Sequence, residues 1–313
     1  MRLTGLLLIP WLLLVACSGG DESSGAEGRL RVVATTTQIG DFTREVGGDR
    51  VSLTVLLKPN QDAHDFELAP SQVRAIAEAD LVLVNGLGLD AFVEKALESS
   101  EAEETVVSEG ITPREGGHHE EEEEHEGEEE EEEHEEGDPH IWFSVANARI
   151  MVENIRDALS EADSANAATY AANASRYLTE LQTLDVSIKQ QVAQVPAGCR
   201  KLVTNHDVLG YYAEAYGFEV IGSVIPSTSS QASASASDVA EVVRQVRAEN
   251  VPAVFAEVSI NPDLIRQVGR EAGVDVVDDL YGDSLGPSDS DGDTYVEMMQ
   301  TNTRKIVNAL KDC

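Results

Sequence analysis

The sequence predicts an α/β fold of two lobes, each with a mainly parallel β-sheet flanked by helices, joined by a long rigid linking helix. Three observations carry that expectation. Apolar, β-branched runs alternate with amphipathic stretches in both the first and the last third of the chain, as parallel strands covered on both faces require. One uninterrupted helical pattern of about thirty residues separates the two alternating regions. A chain of 313 residues is also long enough to bury two cores of ordinary domain size.

The N-terminus reads as an export address. Arg2 precedes an apolar run, Leu6 to Ala16, too short to span a bilayer and typical of a signal peptide. The run ends Leu14-Val15-Ala16-Cys17, which resembles a bacterial lipobox with Cys17 as the lipid-bearing residue. Residues 1–16 are thus assigned to a lipoprotein signal peptide and 17–29 to a flexible tether. Export places the remaining cysteines, Cys199 and Cys313, in an oxidising compartment, where a disulfide between them is expected; two free buried thiols are the alternative.

The N-terminal lobe is placed at 30–160. Leu30–Thr36 is its first strand, followed by a helix through Phe42 and Val46. Val51–Leu57 is the second strand, ended by Pro59-Asn60. Pro70-Ser71 opens a helix with Val73, Ile76 and Ala77 on one face. Leu81–Val84 is the third strand, and a helix follows over Ala91–Leu97. Residues 112–138 break the pattern: almost no apolar content and dense negative charge predict a disordered inserted loop. A helix over Val145–Leu159 closes the lobe.

The linking helix falls within 161–196, from a Ser164 cap to the stop at Pro196. Tyr170, Ala174, Tyr177, Leu181, Leu184, Ile188 and Val192 recur there at three- and four-residue steps. About thirty residues would form a rod of roughly 45 Å, longer than one small lobe needs. The C-terminal lobe, 197–313, has strands at Lys201–Thr204, Glu219–Ile225, Ala253–Val258 and Val274–Asp278. The Ser/Ala run 227–237 leads to a helix capped at Ser237-Asp238. Asp289, Asp291 and Asp293 invite a calcium loop, but its glycine is misplaced and Gln300 stands where a bidentate glutamate is needed. These acids are expected to favour the N-terminus of the last helix, whose apolar face is Tyr295, Val296, Met299, Ile306 and Leu310.

Formal net charge is −36, which excludes nucleic acid as a partner and attraction to anionic lipid. Fourteen glutamates lie between Glu120 and Glu136, so the rest of the chain still carries −22 and suits a protein that handles cations. All seven histidines fit one theme. His118, His119, His125 and His134 lie in the glutamate tract. His64 follows the second strand, His140 follows the acidic loop, and His206 follows the Lys201–Thr204 strand within two residues. Asp283 follows the Val274–Asp278 strand. Ligands of open α/β sheets bind beyond the carboxyl ends of strands. Two of these groups fall in each lobe, so facing lobes would bring all four to one ion. Three imidazoles and a carboxylate suit Zn²⁺ in tetrahedral geometry.

At these residues the chain resembles the metal-specific solute-binding lipoproteins of bacterial ABC importers, especially the zinc type (the cluster A-I, or zinc uptake binding protein, family). The resemblance rests on Lys58-Pro59-Asn60-Gln61-Asp62-Ala63-His64-Asp65-Phe66-Glu67, Ala77-Glu78-Ala79-Asp80 to Asn85-Gly86-Leu87-Gly88, Asp138-Pro139-His140-Ile141-Trp142, Thr204-Asn205-His206-Asp207, and Asp283-Ser284-Leu285. Ala63 replaces the usual proline, and Phe143-Ser144-Val145 replaces a common Leu-Asp-Pro; neither removes a ligand. The resemblance implies one buried metal held by His64, His140, His206 and Asp283, with delivery to an ABC permease. It also implies Zn²⁺ over Mn²⁺ or Fe²⁺, because histidine at position 206 and a His/Glu loop look zinc-like. The four loop histidines would then be auxiliary weak sites. A membrane-tethered monomer is expected. A zinc hydrolase is disfavoured: a fourth ligand closes the shell, and neither His-Glu-x-x-His nor Gly-x-Ser-x-Gly occurs. An adhesin would leave the metal site without a purpose, whereas a periplasmic metallochaperone would need the same site.

Overall fold

Strand–helix units on either side of a long helix build the chain, as seen in a computed structural model that describes residues 28–115, 137–225 and 227–313. β1 (Leu30–Ala34) leads into α1 (Thr37–Gly47) through a cap in which the Thr36 hydroxyl accepts from the Ile39 amide at 3.3 Å. β2 (Val51–Val55), α2 (Pro70–Ala77), β3 (Leu81–Val84), α3 (Glu94–Leu97) and β4 (Glu103–Val106) follow. The four strands form one parallel sheet in the order β2-β1-β3-β4. Pro70 opens α2 at a position where its missing amide proton is not needed. β4 was not expected from sequence. It is an edge strand of mostly exposed Glu-Glu-Thr-Val, and so lacks the apolar run that marks buried strands.

α4 (Val145–Ala162) and α5 (Ala167–Val192) pack against each other. β5 (Lys201–His206), α6 (Gly210–Tyr216), β6 (Glu219–Ile225), α7 (Ala236–Ala248), β7 (Ala253–Glu257), α8 (Asp263–Ala272), β8 (Asp275–Leu280) and α9 (Tyr295–Leu310) make up the second half. Here β5 pairs with β6 and β7 with β8, all parallel, and β5 lies beside β7 without a continuous ladder. The expected second sheet is thus two two-stranded pieces side by side. β5 runs two residues further than predicted, so His206 is the last residue of the strand itself. α7 begins earlier than predicted: Ser235 and Asp238 form a reciprocal capping box.

The long helix is shorter than expected. Ser164–Asn166 form a separate 3₁₀ turn, and α5 runs for 26 residues, about 39 Å. Its buried stripe is the predicted one: Tyr170, Ala174, Tyr177, Leu181, Leu184, Ile188 and Val192. That stripe faces α1 and α4 from the first half and α9 from the second, so one continuous apolar core ties the two halves together. Cys199 and Cys313 are joined near the far end of this packing, with Cα atoms 6.3 Å apart, within the span of a disulfide.

Of the acids before α9, Asp291 makes contacts beyond the helix N-terminus. Thr294 caps the helix, its hydroxyl accepting from the Glu297 amide at 3.2 Å. Asp291 instead accepts from the Tyr281 hydroxyl at 2.9 Å and pairs with Arg304 at 3.0 Å. Among the described residues no helix is long and apolar enough to cross a membrane.

Candidate metal centre

His64, His140, His206 and Asp283 meet at one point between the two halves of the chain, each offering a ligand atom within 4.8 Å of all the others. The Nε2 of His140 lies 3.3 Å from that of His64 and 3.4 Å from that of His206. Asp283 completes the cluster, with Oδ1 at 3.3 Å from His140 Nε2 and Oδ2 at 3.7 Å from His64 Nε2. His140, His206 and Asp283 are fully buried, and the His64 side chain is nearly so. Among the described residues neither oxygen of Asp283 has a hydrogen-bond partner. Buried carboxylate oxygens left unpaired are expensive, and a cation bound among them would remove that cost.

Each donor is placed by its own local device. The chain leaves β2 and turns at Asp62, whose carboxylate accepts from the His64 amide at 2.8 Å. From the second half, Ser230 donates to Asp62 at 2.5 Å and the Gln231 side-chain Nε2 donates to the His64 carbonyl, so the Ser/Ala-rich segment closes over this loop. Asp138 grips His140 twice: Oδ1 lies 2.8 Å from the ring Nδ1 and accepts from the backbone amide at 3.0 Å. That bond fixes the tautomer and leaves Nε2 facing the centre. Arg114 pairs with the other Asp138 oxygen at 3.0 Å, and the Tyr211 hydroxyl donates to the Asp138 carbonyl at 2.8 Å. Arg114 passes so close to Gly210 that a Cβ there would collide with the guanidinium.

His206 is carried by the end of β5, and its Nδ1 stands 2.6 Å from Glu257 Oε1, an ion-pair contact bent away from ideal hydrogen-bond geometry. Asp283 sits in the loop after β8, held against α1 by Gln38 donating to the Gly282 carbonyl at 3.2 Å and by the Leu285 amide donating to Thr37 at 2.8 Å. Residues near the start of the first half therefore set the position of the fourth donor.

Charge is balanced inside the cluster. Burial opposes the charged form of His140, but Asp138 and Asp283 outweigh it and raise its pKa to about 10. Burial likewise opposes His206, and Glu257 and Asp283 outweigh it and raise the ring above its ordinary value. His64 goes the other way: burial, helped by its two imidazole neighbours and opposed by Asp283, lowers it to about 4. Burial pushes Asp283 up, yet the three histidines hold it well below the usual carboxylate range. Without a cation, a proton on His140 thus supplies positive charge beside Asp283.

All four residues that the sequence assigned to the centre are brought together. Sequence reasoning did not assign roles to Asp138, Arg114 or Glu257. Asp138 was in reach, since it lies two residues before His140. Glu257 bears no local mark, being one glutamate at the end of an apolar strand. His118, His119, His125, His134 and Cys17 lie outside the described residues.

Two α/β halves around a buried cluster of three imidazoles and one carboxylate define an interlobe binding protein. The particular family follows from comparison: residues 32–309 match the family described as zinc-uptake complex component A, periplasmic (ZnuA), and the chain belongs to it. As a member it is a metal-binding, substrate-binding component of an ABC importer and not an enzyme. The manganese-binding lipoprotein MntA of Halalkalibacterium halodurans is 31% identical over 97% of this chain and 96% of its own length. The manganese ABC transporter substrate-binding lipoprotein PsaA of Streptococcus pneumoniae is 28% identical, with 99% of each chain covered. Among solved structures, the periplasmic zinc-binding protein TroA of Treponema pallidum superposes with a TM-score of 0.80 at 28% identity, over 90% of this chain and 99% of that one. A manganese-bound periplasmic metal-binding protein of Candidatus Liberibacter asiaticus gives 0.78 at 28% identity, over 90% and 100%.

Proposed function

We propose that the chain captures one divalent first-row transition-metal ion with His64, His140, His206 and Asp283 and passes it to the permease of an ABC importer. The convergence of four buried donors, with both Asp283 oxygens unpaired, carries this reading. The relatives' names favour manganese as the cargo, against the zinc expected from sequence. A carboxylate with two free oxygens could add a fifth contact to a larger, oxygen-preferring ion.

Zinc is the second reading, and one observation favours it. Nitrogens about 2.0–2.1 Å from a tetrahedral zinc stand about 3.3–3.4 Å apart, and the Nε2 atoms around His140 are spaced at 3.3 and 3.4 Å. Imidazole donors also follow the usual order of affinity, in which manganese binds most weakly. Metal analysis of protein purified without added metal, followed by competition between Mn²⁺ and Zn²⁺, separates the two. One equivalent of either ion supports the capture reading, and no bound ion at saturation rejects it.

A lipid on Cys17 and a monomeric chain tethered to the outer face of the membrane fit this role, and the relatives named lipoproteins support the anchor. The loop histidines would raise the local ion concentration without forming the tight site. Deletion of 117–136 is therefore expected to leave tight affinity within about twofold of the parent in a chelator competition, since no donor is lost.

Proton release offers a direct check. Before an ion binds, His140, raised to about 10, is expected to keep its Nε2 proton at neutral pH. An incoming ion must displace that proton, so affinity rises with pH up to about 10 and falls on acidification. His64, lowered to about 4, is already free to bind at pH 7. Calorimetry at pH 7 in buffers of different ionisation enthalpy should report one or more protons released per ion. Heats that do not depend on the buffer would contradict this account.

A further inference from the structure

Glu257 is none of the four donors, yet its carboxylate touches two of them. It ends β7 and is 2% exposed. Oε1 stands 2.6 Å from His206 Nδ1. Oε2 accepts the backbone amide of Asp283 at 3.1 Å and the Ser259 hydroxyl at 3.0 Å. A register irregularity between Phe255 and Glu257 marks the place where β7 departs from regular pairing with β8. Gly282 is where the chain passes over this carboxylate, and a Cβ at that position would overlap it.

We infer that Glu257 is a positioning residue that ties His206 and Asp283 into one unit and thereby sets the geometry in which the ion is held. The inference rests on the capture role of the four donors. A carboxylate bridging a ligand ring and a ligand backbone removes two freedoms at once. It orients the imidazole of His206 with Nε2 facing the centre, and it fixes the spacing between that nitrogen and the loop carrying Asp283. Of the four donors Asp138 touches His140 alone, through its ring and its backbone amide, so it orders one donor in the first half. Glu257 orders both donors of the second half. A side chain one methylene shorter cannot span both contacts from the same strand end, so the effect depends on reach as well as on charge.

The test uses Co²⁺ as the probe, because its visible bands report coordination geometry. Glu257→Gln and Glu257→Asp are each expected to lower Co²⁺ affinity by about ten- to hundredfold while binding one equivalent at saturation. Both should also weaken and shift the visible bands. A Glu257→Asp protein indistinguishable from the parent would overturn the positioning role, since the charge is kept there and only reach is lost. Parental affinity and bands in both variants would do the same. Ser259→Ala removes a single hydrogen bond to Oε2 and keeps the question open to measurement should both Glu257 variants fail to fold: altered bands support the inference, and parental bands overturn it. His206→Ala is the control for the site. If that variant also binds Co²⁺ as the parent does, the four-donor centre itself has failed, not the role of Glu257.

Discussion

Replacing His206 with alanine should reduce affinity for the bound ion by about a hundred- to a thousandfold. Apparent binding energies of four-ligand sites of about 10–16 kcal/mol leave roughly 3 kcal/mol per ligand, and 1.4 kcal/mol is a factor of ten. The local structure adds to that loss. His206 is fully buried at the end of β5, so truncation leaves a polar hole that water, a weaker donor than imidazole, would fill. Glu257 would keep the Asp283 amide and the Ser259 hydroxyl on Oε2 but lose the ring facing Oε1, and a buried carboxylate that loses its ion-pair partner is costly. Competition against a chelator of known affinity is the measurement, made for both Mn²⁺ and Zn²⁺. Affinity within threefold of the parent for both ions would sink the assignment of His206 as a ligand. Asp283→Asn is the companion variant: it keeps the volume and removes the one charge that the three imidazoles share.

The second large effect is on stability. Cys199 and Cys313 are joined across a sequence separation of 114 residues. Closing a loop of that size restricts the unfolded chain by about 4–5 kcal/mol in the chain-entropy treatment. Substituting both cysteines by serine is expected to lower the midpoint of thermal unfolding by roughly 7–8 °C. The ion affinity of the double variant should stay near that of the parent. The bridge links the segment after α5 to the chain beyond α9, and the centre is built from the strand ends and loops at 64, 140, 206 and 283. An unfolding midpoint that does not move would show that α5–α9 packing alone holds the C-terminus.

Much of the architecture is legible residue by residue. The seven apolar positions of α5 recur at helical steps in the sequence, and all seven are buried. The strands that carry the centre are apolar enough to stand out, and the Thr36, Ser144 and Thr294 caps follow ordinary side-chain chemistry. What was missed shares a cause. β4 is an exposed edge whose only claim to be a strand is its pairing with β3. The break between the β5-β6 and β7-β8 pairs depends on how two ladders meet, which no single segment encodes. Ser235 in place of Ser237 as the cap of α7 was decided by a capping box within a run of near-identical serines.

The centre divides in the same way. Sequence by itself determined which side chains could bind an ion, because only imidazoles and carboxylates at strand ends have that chemistry, and it determined the alternation that sends those ends toward one side of each sheet. Only the tertiary structure decided that four donors from four separate segments come within 4.8 Å of one another, and that Asp138 and Glu257 stand behind them. The physical reason is range. Helix and strand patterns are written in neighbours a few residues apart, whereas the contact of Glu257 with His206 and Asp283 exists only after β5, β7 and the loop beyond β8 have packed together.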